Sequence, residues 1–331
     1  MKKILFKGAG SAVPTPFNEN GINIEEFKKF LEFQIKNKID ALIVCGTTGE
    51  SSTMTKDEKI QVIKCALEVS NGRVPIIAGT GSNNTKEAIE MSKIAEDLGV
   101  DGILVVTPYY NKTSQTGLIA HYKAIANNVN IPIILYNVPS RTGLNINPET
   151  CWELSKIENI VAIKEASGNI SQIAQIAHLC GDNLNIYSGN DDQTIPICSL
   201  GGLGVISVLS NIRPDFTHDM VWNFFNGNIE DSKKMQLDCL PLINSLFSDI
   251  NPIPVKTALN EIGFNFGIPR LPLTEMDENR KKLLANDLKI KFWFLGNLYT
   301  KKAEIGLYFR KHSSISAFFL FHFFFYFNQS V

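Results

Sequence analysis

Short apolar runs rich in β-branched residues recur eight times up to about residue 208, and each is followed by a segment with helical spacing. The runs are Gly10-Ser11-Ala12-Val13-Pro14, Ala41-Leu42-Ile43-Val44, Pro75-Ile76-Ile77-Ala78, Gly102-Ile103-Leu104-Val105-Val106, Pro132-Ile133-Ile134-Leu135-Tyr136, Ile160-Val161-Ala162-Ile163-Lys164, Leu184-Asn185-Ile186-Tyr187 and Gly204-Val205-Ile206-Ser207-Val208. They begin roughly 20 to 33 residues apart, room for a strand and a crossover helix. Continuous apolar strands of this kind are buried on both faces, as in a parallel sheet covered by helices. Eight such units predict an α/β fold, a TIM (β/α)8 barrel, with an open doubly wound sheet as the rival arrangement.

The intervening segments carry helix boundaries. Asn23 precedes Ile24, Phe27, Leu31 and Ile35, with Glu25 and Glu26 in the first turn and Lys36 and Lys38 near the end, an order that suits the helix dipole. Thr55-Lys56-Asp57-Glu58 reads as a capping box ahead of Ile60, Ile63, Ala66 and Leu67. Gly99 follows Ile94, Ala95 and Leu98 as a C-terminal stop.

Beyond the eighth run, residues from about Pro214 to Leu288 read as helices, with Phe216, Met220, Phe224, Leu237 and Leu240 apolar and no strand signal. The expected organisation is a barrel over residues 1–213, a helical appendage over 214–289, and a hydrophobic tail over 290–331. In that tail caps and amphipathic spacing vanish, and Ser316 to Phe327 is aromatic almost throughout. The stretch has no functional reading; frame-shifted or read-through sequence would account for it. No apolar run reaches the ~18 residues that span a bilayer, and the N-terminus lacks the apolar core of a signal peptide. A cytoplasmic protein with no membrane partner is expected.

Apolar residues form 44% of the chain, enough for a large core, and the formal net charge is −1. Without a basic stripe, nucleic acid is not an expected partner, and a small molecule is. Cys45, Cys65, Cys151, Cys180, Cys198 and Cys239 lie without CxxC spacing, so they read as buried reduced thiols. His121, His178, His218, His312 and His322 show no metal-ligand spacing, which speaks against a metal-dependent aldolase. Gly79-Thr80-Gly81-Ser82-Asn83 fits neither a dinucleotide nor a Walker loop and reads as an ordinary βα turn.

Chemistry in such a barrel sits at the C-terminal ends of its strands. Lys164 ends the sixth run. Strand alternation places residues 160, 162 and 164 on one face and Val161 and Ile163 on the other, toward the helices. Ala162 and Lys164 then point into the barrel. A lysine with a free pKa of ~10.4 needs a lone pair to attack a carbonyl, and an apolar interior disfavours the ammonium. Alone, the residue would read as a solvated strand-rim lysine. Tyr136 ends the neighbouring run, where a phenol could move the protons of carbinolamine formation, although alone it reads as a core aromatic. Gly46-Thr47-Thr48-Gly49-Glu50 follows the second run, and its N–H groups and hydroxyls could cradle a carboxylate.

Four segments in order carry a family likeness: Gly46-Thr47-Thr48-Gly49-Glu50, Val106-Thr107-Pro108-Tyr109-Tyr110, Tyr136-Asn137-Val138-Pro139-Ser140-Arg141-Thr142-Gly143 and Ile163-Lys164-Glu165-Ala166-Ser167-Gly168. With them the chain resembles the dihydrodipicolinate synthase and N-acetylneuraminate lyase family of class I aldolases, from about residue 8 to 288. Within that family it is most similar to the branch that condenses pyruvate with L-aspartate-4-semialdehyde in diaminopimelate and lysine biosynthesis.

The resemblance implies a Schiff base between Lys164 and pyruvate, with no metal or organic cofactor. It implies a hydroxyl relay of Tyr136, Thr47 and Tyr110, the last crossing from a neighbouring subunit of a homotetramer. Thr48 and the Thr47–Thr48 backbone would hold the pyruvate carboxylate, and Arg141 the carboxylate of the semialdehyde. Gly189 and Ile206 would line the pocket through their carbonyls. Sialic-acid lyases lack the arginine, so Arg141 separates the branches; by itself it reads as a surface salt-bridge residue. Ser51, Asn83, Glu87 and Tyr109 match a lysine-effector cleft of the family. Lys56 and Lys59 stand where sensitive members carry histidine, and added ammonium groups would repel a cationic effector. Two other readings compete: a 2-keto-3-deoxy-sugar-acid aldolase of the same family, and a catalytically inactive ligand-binding barrel.

Overall fold

The computed structural model describes residues 2–288 of the chain. Eight parallel strands close into a barrel: β1 (Gly8–Ala12), β2 (Ala41–Val44), β3 (Ile76–Gly79), β4 (Gly102–Val106), β5 (Ile133–Asn137), β6 (Ile160–Glu165), β7 (Asn185–Ser188) and β8 (Gly204–Ser207). Each strand pairs with its sequence neighbours, and β8 closes onto β1 with Gly10 opposite Ile206. The TIM barrel expected from the spacing is therefore what forms. A small antiparallel ribbon, Phe17–Asn18 with Gly21–Ile22, is an addition whose strands are too short to leave a periodic signal.

The helix boundaries follow local chemistry. Asn23 accepts a hydrogen bond from the Glu26 N–H, Thr55 and Glu58 form the reciprocal capping box, and Gly99 ends its helix in the left-handed region. All six cysteines are free and buried. No helix among the described residues is long and apolar enough to cross a membrane.

The barrel interior is filled by Ala41, Ile43, Ile77, Leu104, Ile134, Ala162, Tyr187 and Ile206. Phe6, which precedes β1, stacks on Tyr187 with centroids 4.4 Å apart, and the Tyr187 hydroxyl donates to the Phe6 carbonyl at 2.5 Å. Strict alternation along β6 is broken. Ile133 pairs with Ile160 but Ile134 pairs with Ala162, so Val161 is the extra residue of a bulge. Val161 accordingly joins the interior cluster while Ile160 does not, which corrects the expected placement of both. Downstream of the bulge the alternation resumes, and Ala162 and Lys164 face inward with Tyr136.

After β8 the chain forms helices over Pro214–Phe225, Ile229–Asp238, Leu240–Leu246 and Ile253–Glu261, with another over residues 278–288. Residues 262–277 between the last two are irregular. The expected tail over 290–331 lies outside the described residues. Lys256 reaches from its helix to Glu50, Nζ to Oε1 2.8 Å, with both side chains essentially inaccessible. Oε2 of Glu50 accepts from the Arg270 N–H at 2.8 Å, and Phe17 lies beneath the Lys256 and Arg270 cations at 4.5 and 4.1 Å. Burial pulls the Lys256 ammonium below the usual lysine range, and Glu50 acts in the opposite sense.

A buried ion pair costs desolvation, but removing one partner strands the other. Lys256→Met is therefore expected to cost roughly 3–5 kcal/mol in urea unfolding, and Lys256→Met with Glu50→Gln to recover much of it. Equal losses in the single and double variants would show that the pair is not coupled.

His121 supplies a second prediction. Its Nδ1 meets Thr85 Oγ1 at 2.9 Å, its buried Nε2 has no partner among the described residues, and burial pushes its pKa down to about 4. The unfolded chain, titrating near 6.5, binds the proton more readily, so this stability is complete above pH 6.5 and is lost as pH falls toward 4. The loss approaches about 3 kcal/mol at the acid end. In urea titrations at several pH values, His121→Gln is expected to flatten this acid limb; an unchanged slope would contradict the assignment.

Candidate active site

Tyr136 and Lys164 are in-register neighbours on β5 and β6. Both face the barrel interior, and each is only 6% exposed. The Lys164 Nζ lies 4.4 Å from the centre of the Tyr136 ring, so the amine sits against the face of the phenol. The small Ala162 one step down the strand leaves depth for the long lysine chain. Gly189, just past β7, is required for the same reason: a Cβ there would stand 3.1 Å from Lys164 Cε and 2.6 Å from Ala166 Cβ. Its N–H donates to the Glu165 carbonyl at 2.8 Å, which holds the β6 and β7 ends together. Ile206 is buried in the interior wall.

The Gly46–Glu50 segment turns sharply, with Cys45 and Glu50 at φ of 55° and 57°. Thr15 Oγ1 donates to the Gly49 carbonyl at 2.8 Å and pins the turn to the end of β1. Neither the Thr47 nor the Thr48 N–H is donated among the described residues. Successive free N–H groups at such a turn suit an anion. Thr48 Oγ1 accepts from Asn251 Nδ2 at 2.9 Å, and Arg141 Nη2 donates to the Asn251 carbonyl at 3.3 Å. Arg141 lies in the short helix Pro139–Thr142, closed by Gly143 at φ 69°. It makes no ion pair among the described residues, so the salt-bridge reading of Arg141 does not hold in this chain.

A cavity of about 500 Å³ opens at this end of the barrel, and Thr47, Tyr136 and Arg141 line it. Its wall also includes Ser51, Glu87 and Tyr109, so three of the four expected effector-cleft residues face the same space as the phenol. Asn83 is adjacent, its carbonyl accepting from Asn111 Nδ2 at 2.9 Å. Gly79 to Ser82 form part of the wall, more than the ordinary turn that the sequence suggested. Lys59 lines the cavity, whereas Lys56 is turned to Glu90 at 2.7 Å on the surface. Tyr110 stands apart: it is 90% exposed, at φ 71°, and does not meet Tyr136 within one chain.

Two site residues escaped sequence reasoning. Asn251, with a buried Oδ1 that has no partner among the described residues, comes from the C-terminal segment and leaves no local signal. Asp191 is fully buried; its Oδ2 accepts from the Val208 and Leu209 N–H groups at 2.9 Å each, and its Oδ1 is unpartnered among the described residues. Burial pushes its carboxyl up, against hydrogen bonds from Ser207 and the backbone and the Lys164 cation. The rule that strand ends carry the chemistry could have found it, since Asp191 lies three residues past the end of β7. No cluster of three His, Cys, Asp or Glu suited to a metal ion occurs among the described residues.

The sequence matches the profile of the Dihydrodipicolinate synthetase family over residues 5–291. It is 60% identical to 4-hydroxy-tetrahydrodipicolinate synthase 1 of Clostridium acetobutylicum, over 86% of this chain and 97% of that one. Among solved structures it superimposes, with a TM-score of 0.84 and 42% identity, on chloride-inhibited dihydrodipicolinate synthase of Acinetobacter baumannii complexed with pyruvate, covering 86% of this chain and 98% of that one. The enzyme of Cyanidioschyzon merolae with lysine bound gives a TM-score of 0.84 at 39% identity, with coverages of 86% and 98%. A registered amine–phenol pair in the mouth of a closed barrel, four matching strand-end segments and these relatives lead to one conclusion: the chain belongs to the dihydrodipicolinate synthetase family.

Proposed function

We propose that the chain is a class I lyase that condenses pyruvate with L-aspartate-4-semialdehyde to 4-hydroxy-tetrahydrodipicolinate, in diaminopimelate and lysine biosynthesis in the cytoplasm. The observation that carries this is the Lys164 amine held against the Tyr136 ring inside the barrel. Its close relatives bear the name of that activity.

The steps follow from the residues. Unprotonated Lys164 attacks the keto carbon of pyruvate, and the carbinolamine loses water to give an iminium. Tyr136 and Thr47 move the protons, and Tyr110 of a neighbouring subunit extends the relay to solvent in a homotetramer. The Thr47 and Thr48 N–H groups hold the pyruvate carboxylate. The iminium draws electrons from the adjacent methyl, which loses a proton to give an enamine. The enamine carbon attacks the aldehyde of the second substrate, whose carboxylate Arg141 holds by its guanidinium fork. The substrate amine then adds to the iminium carbon, the ring closes, and Lys164 leaves as the free amine. Gly189 and Ile206 offer backbone carbonyls to the pocket. No metal or organic cofactor takes part, because the iminium is the electron sink. Residues 1–213 carry the chemistry, and 214–289 brace it through Asn251 and Lys256.

Incubation with pyruvate and borohydride, followed by peptide mapping, is expected to place a reduced adduct on Lys164. An unmodified Lys164 would overturn the proposal. A sugar-acid aldolase would instead turn over sugar-derived aldehydes in preference to the semialdehyde, and an inactive barrel would accept neither.

The effector reading is weaker inhibition by lysine than in relatives that bind it. Ser51, Glu87 and Tyr109 face the cavity with Lys59, whose ammonium opposes a cationic ligand. Steady-state assays are expected to show weak or no inhibition by L-lysine; half-maximal inhibition below millimolar concentration would contradict this.

A further inference from the structure

Glu165 follows Lys164 directly, and Asn137 follows Tyr136. Alternation turns these two to the outer face of the strands while the amine and phenol face inward. They are paired just as their neighbours are, Asn137 opposite Glu165 one step beyond Tyr136 opposite Lys164. Both are completely buried. Asn137 Nδ2 donates to both Glu165 oxygens, at 2.9 and 3.2 Å, and the carboxylate also accepts from the Ser167 N–H at 2.7 Å and Gln172 Nε2 at 3.4 Å. Asn137 Oδ1 accepts from the Ile146 N–H at 3.0 Å, and its Nδ2 also reaches Asn145 Oδ1 at 2.9 Å. Gln172 and Asn145 close the group by exchanging amide hydrogen bonds of 2.8 and 3.2 Å.

No Lys, Arg or His takes part in this cluster, so the carboxylate is held by neutral donors alone. Burial pushes its pKa up, which the hydrogen bonds from Ser167, Asn137 and Gln172 oppose. An acid so placed is a costly way to fill the space between a strand and its helices, where an aliphatic side chain would serve. What it adds is directional. The β5–β6 register slips by one residue at the Val161 bulge, only a few residues before the site, so alternation there rests on what pins the strands afterwards. The ladder contributes the Ala166 N–H to the Asn137 carbonyl at 2.9 Å. The side-chain cluster adds a second tie at that step and extends it into the loops after both strands, through Ile146 and Ser167.

We propose that Glu165, acting through Asn137, is a positioning residue that fixes how the Tyr136 phenol and the Lys164 amine face each other. It touches neither substrate nor the reacting atoms. This rests on the Schiff-base reading of Lys164 given above.

The test is a double-mutant cycle of Glu165→Gln with Tyr136→Phe, read as the single-turnover rate of borohydride-trapped adduct with pyruvate. Gln at 165 keeps the shape but sets an amide against the Asn137 amide. Glu165→Gln is expected to slow adduct formation about tenfold or more, since small misplacements of reacting groups carry large rate penalties. The KM for pyruvate should move less than about threefold, as the carboxylate cradle is untouched. Tyr136→Phe should cost much less in the Glu165→Gln background than alone, because the phenol is already misaligned there. Exchanging the partners, Asn137→Asp with Glu165→Gln, restores a donor against an acceptor and should recover much of the rate. Should Glu165→Gln not accumulate folded, Asn137→Ala reads the same coupling. A lowered melting temperature with an adduct rate within about twofold of the parent, or full additivity with Tyr136→Phe, would reduce Glu165 to a structural role. An unlabelled parent enzyme would instead sink the Schiff-base reading itself.

Discussion

The register between β5 and β6 is the constraint on which the site depends. A closed barrel leaves strands no free edge along which to slide, so the pairing of two neighbours sets the height of every side chain facing inward. Here that pairing brings a lysine and a tyrosine to the same level at the C-terminal mouth. A slip by one residue would turn Lys164 out among the helices and bring Glu165 into the lumen. The bulge at Val161 lies below this level, beside the interior residues Ile134 and Ala162, where one aliphatic side chain fills much the same space as another. The loops above the barrel inherit the same frame. Thr47 and Arg141 enter the cavity from strands whose positions closure has already settled.

The C-terminal helices extend that frame from outside the barrel. Lys256 and Asn251 approach the Gly46–Glu50 turn from one side, the first through a buried ion pair with Glu50 and the second through Thr48 Oγ1. The turn contains a non-glycine residue in the left-handed region, Glu50, a conformation that costs energy unless its surroundings enforce it. Both oxygens of that side chain are engaged, one by an ammonium and one by the Arg270 N–H. The appendage therefore does more than cover the barrel. It braces the turn whose Thr47 and Thr48 N–H groups are proposed to hold the pyruvate carboxylate.

The fold was legible because its signal is repetitive: most of the strands are built on a continuous apolar run, and each run announces the same unit, although β1, Gly-Ala-Gly-Ser-Ala, begins two residues ahead of the run that marked it. Lys164, Tyr136, Thr47 and Arg141 could be placed because position at a strand end is a one-dimensional property. What was not legible is what depends on geometry across distance. Val161 and Ile163 are interchangeable as letters, so nothing marked the bulge that sends Val161 inward. Asn251 lies 110 residues from Arg141, and only the folded chain brings its carbonyl to the guanidinium. Glu165 carries no local signal of its role, since nothing beside a strand-end lysine in the sequence marks a carboxylate there as buried. Lys56 and Lys59 looked equivalent, yet one faces Glu90 and the other the cavity.

The amine's surroundings also bear on which step the barrel favours. A ring face 4.4 Å from the amine suits positive charge, and the cation that the proposed reaction forms is the iminium, once before the enamine and again after the aldehyde has been attacked. Asp191 makes no hydrogen bond to Lys164: two backbone N–H groups hold its Oδ2 at the β8 end, and burial pushes its carboxyl up, against the pull of Lys164. A carboxylate paired with Lys164 would hold the ammonium and withhold its lone pair, and no such pair forms among the described residues. In the proposed reaction that leaves the amine free to attack the keto carbon, with the ring face in place for the iminium that follows.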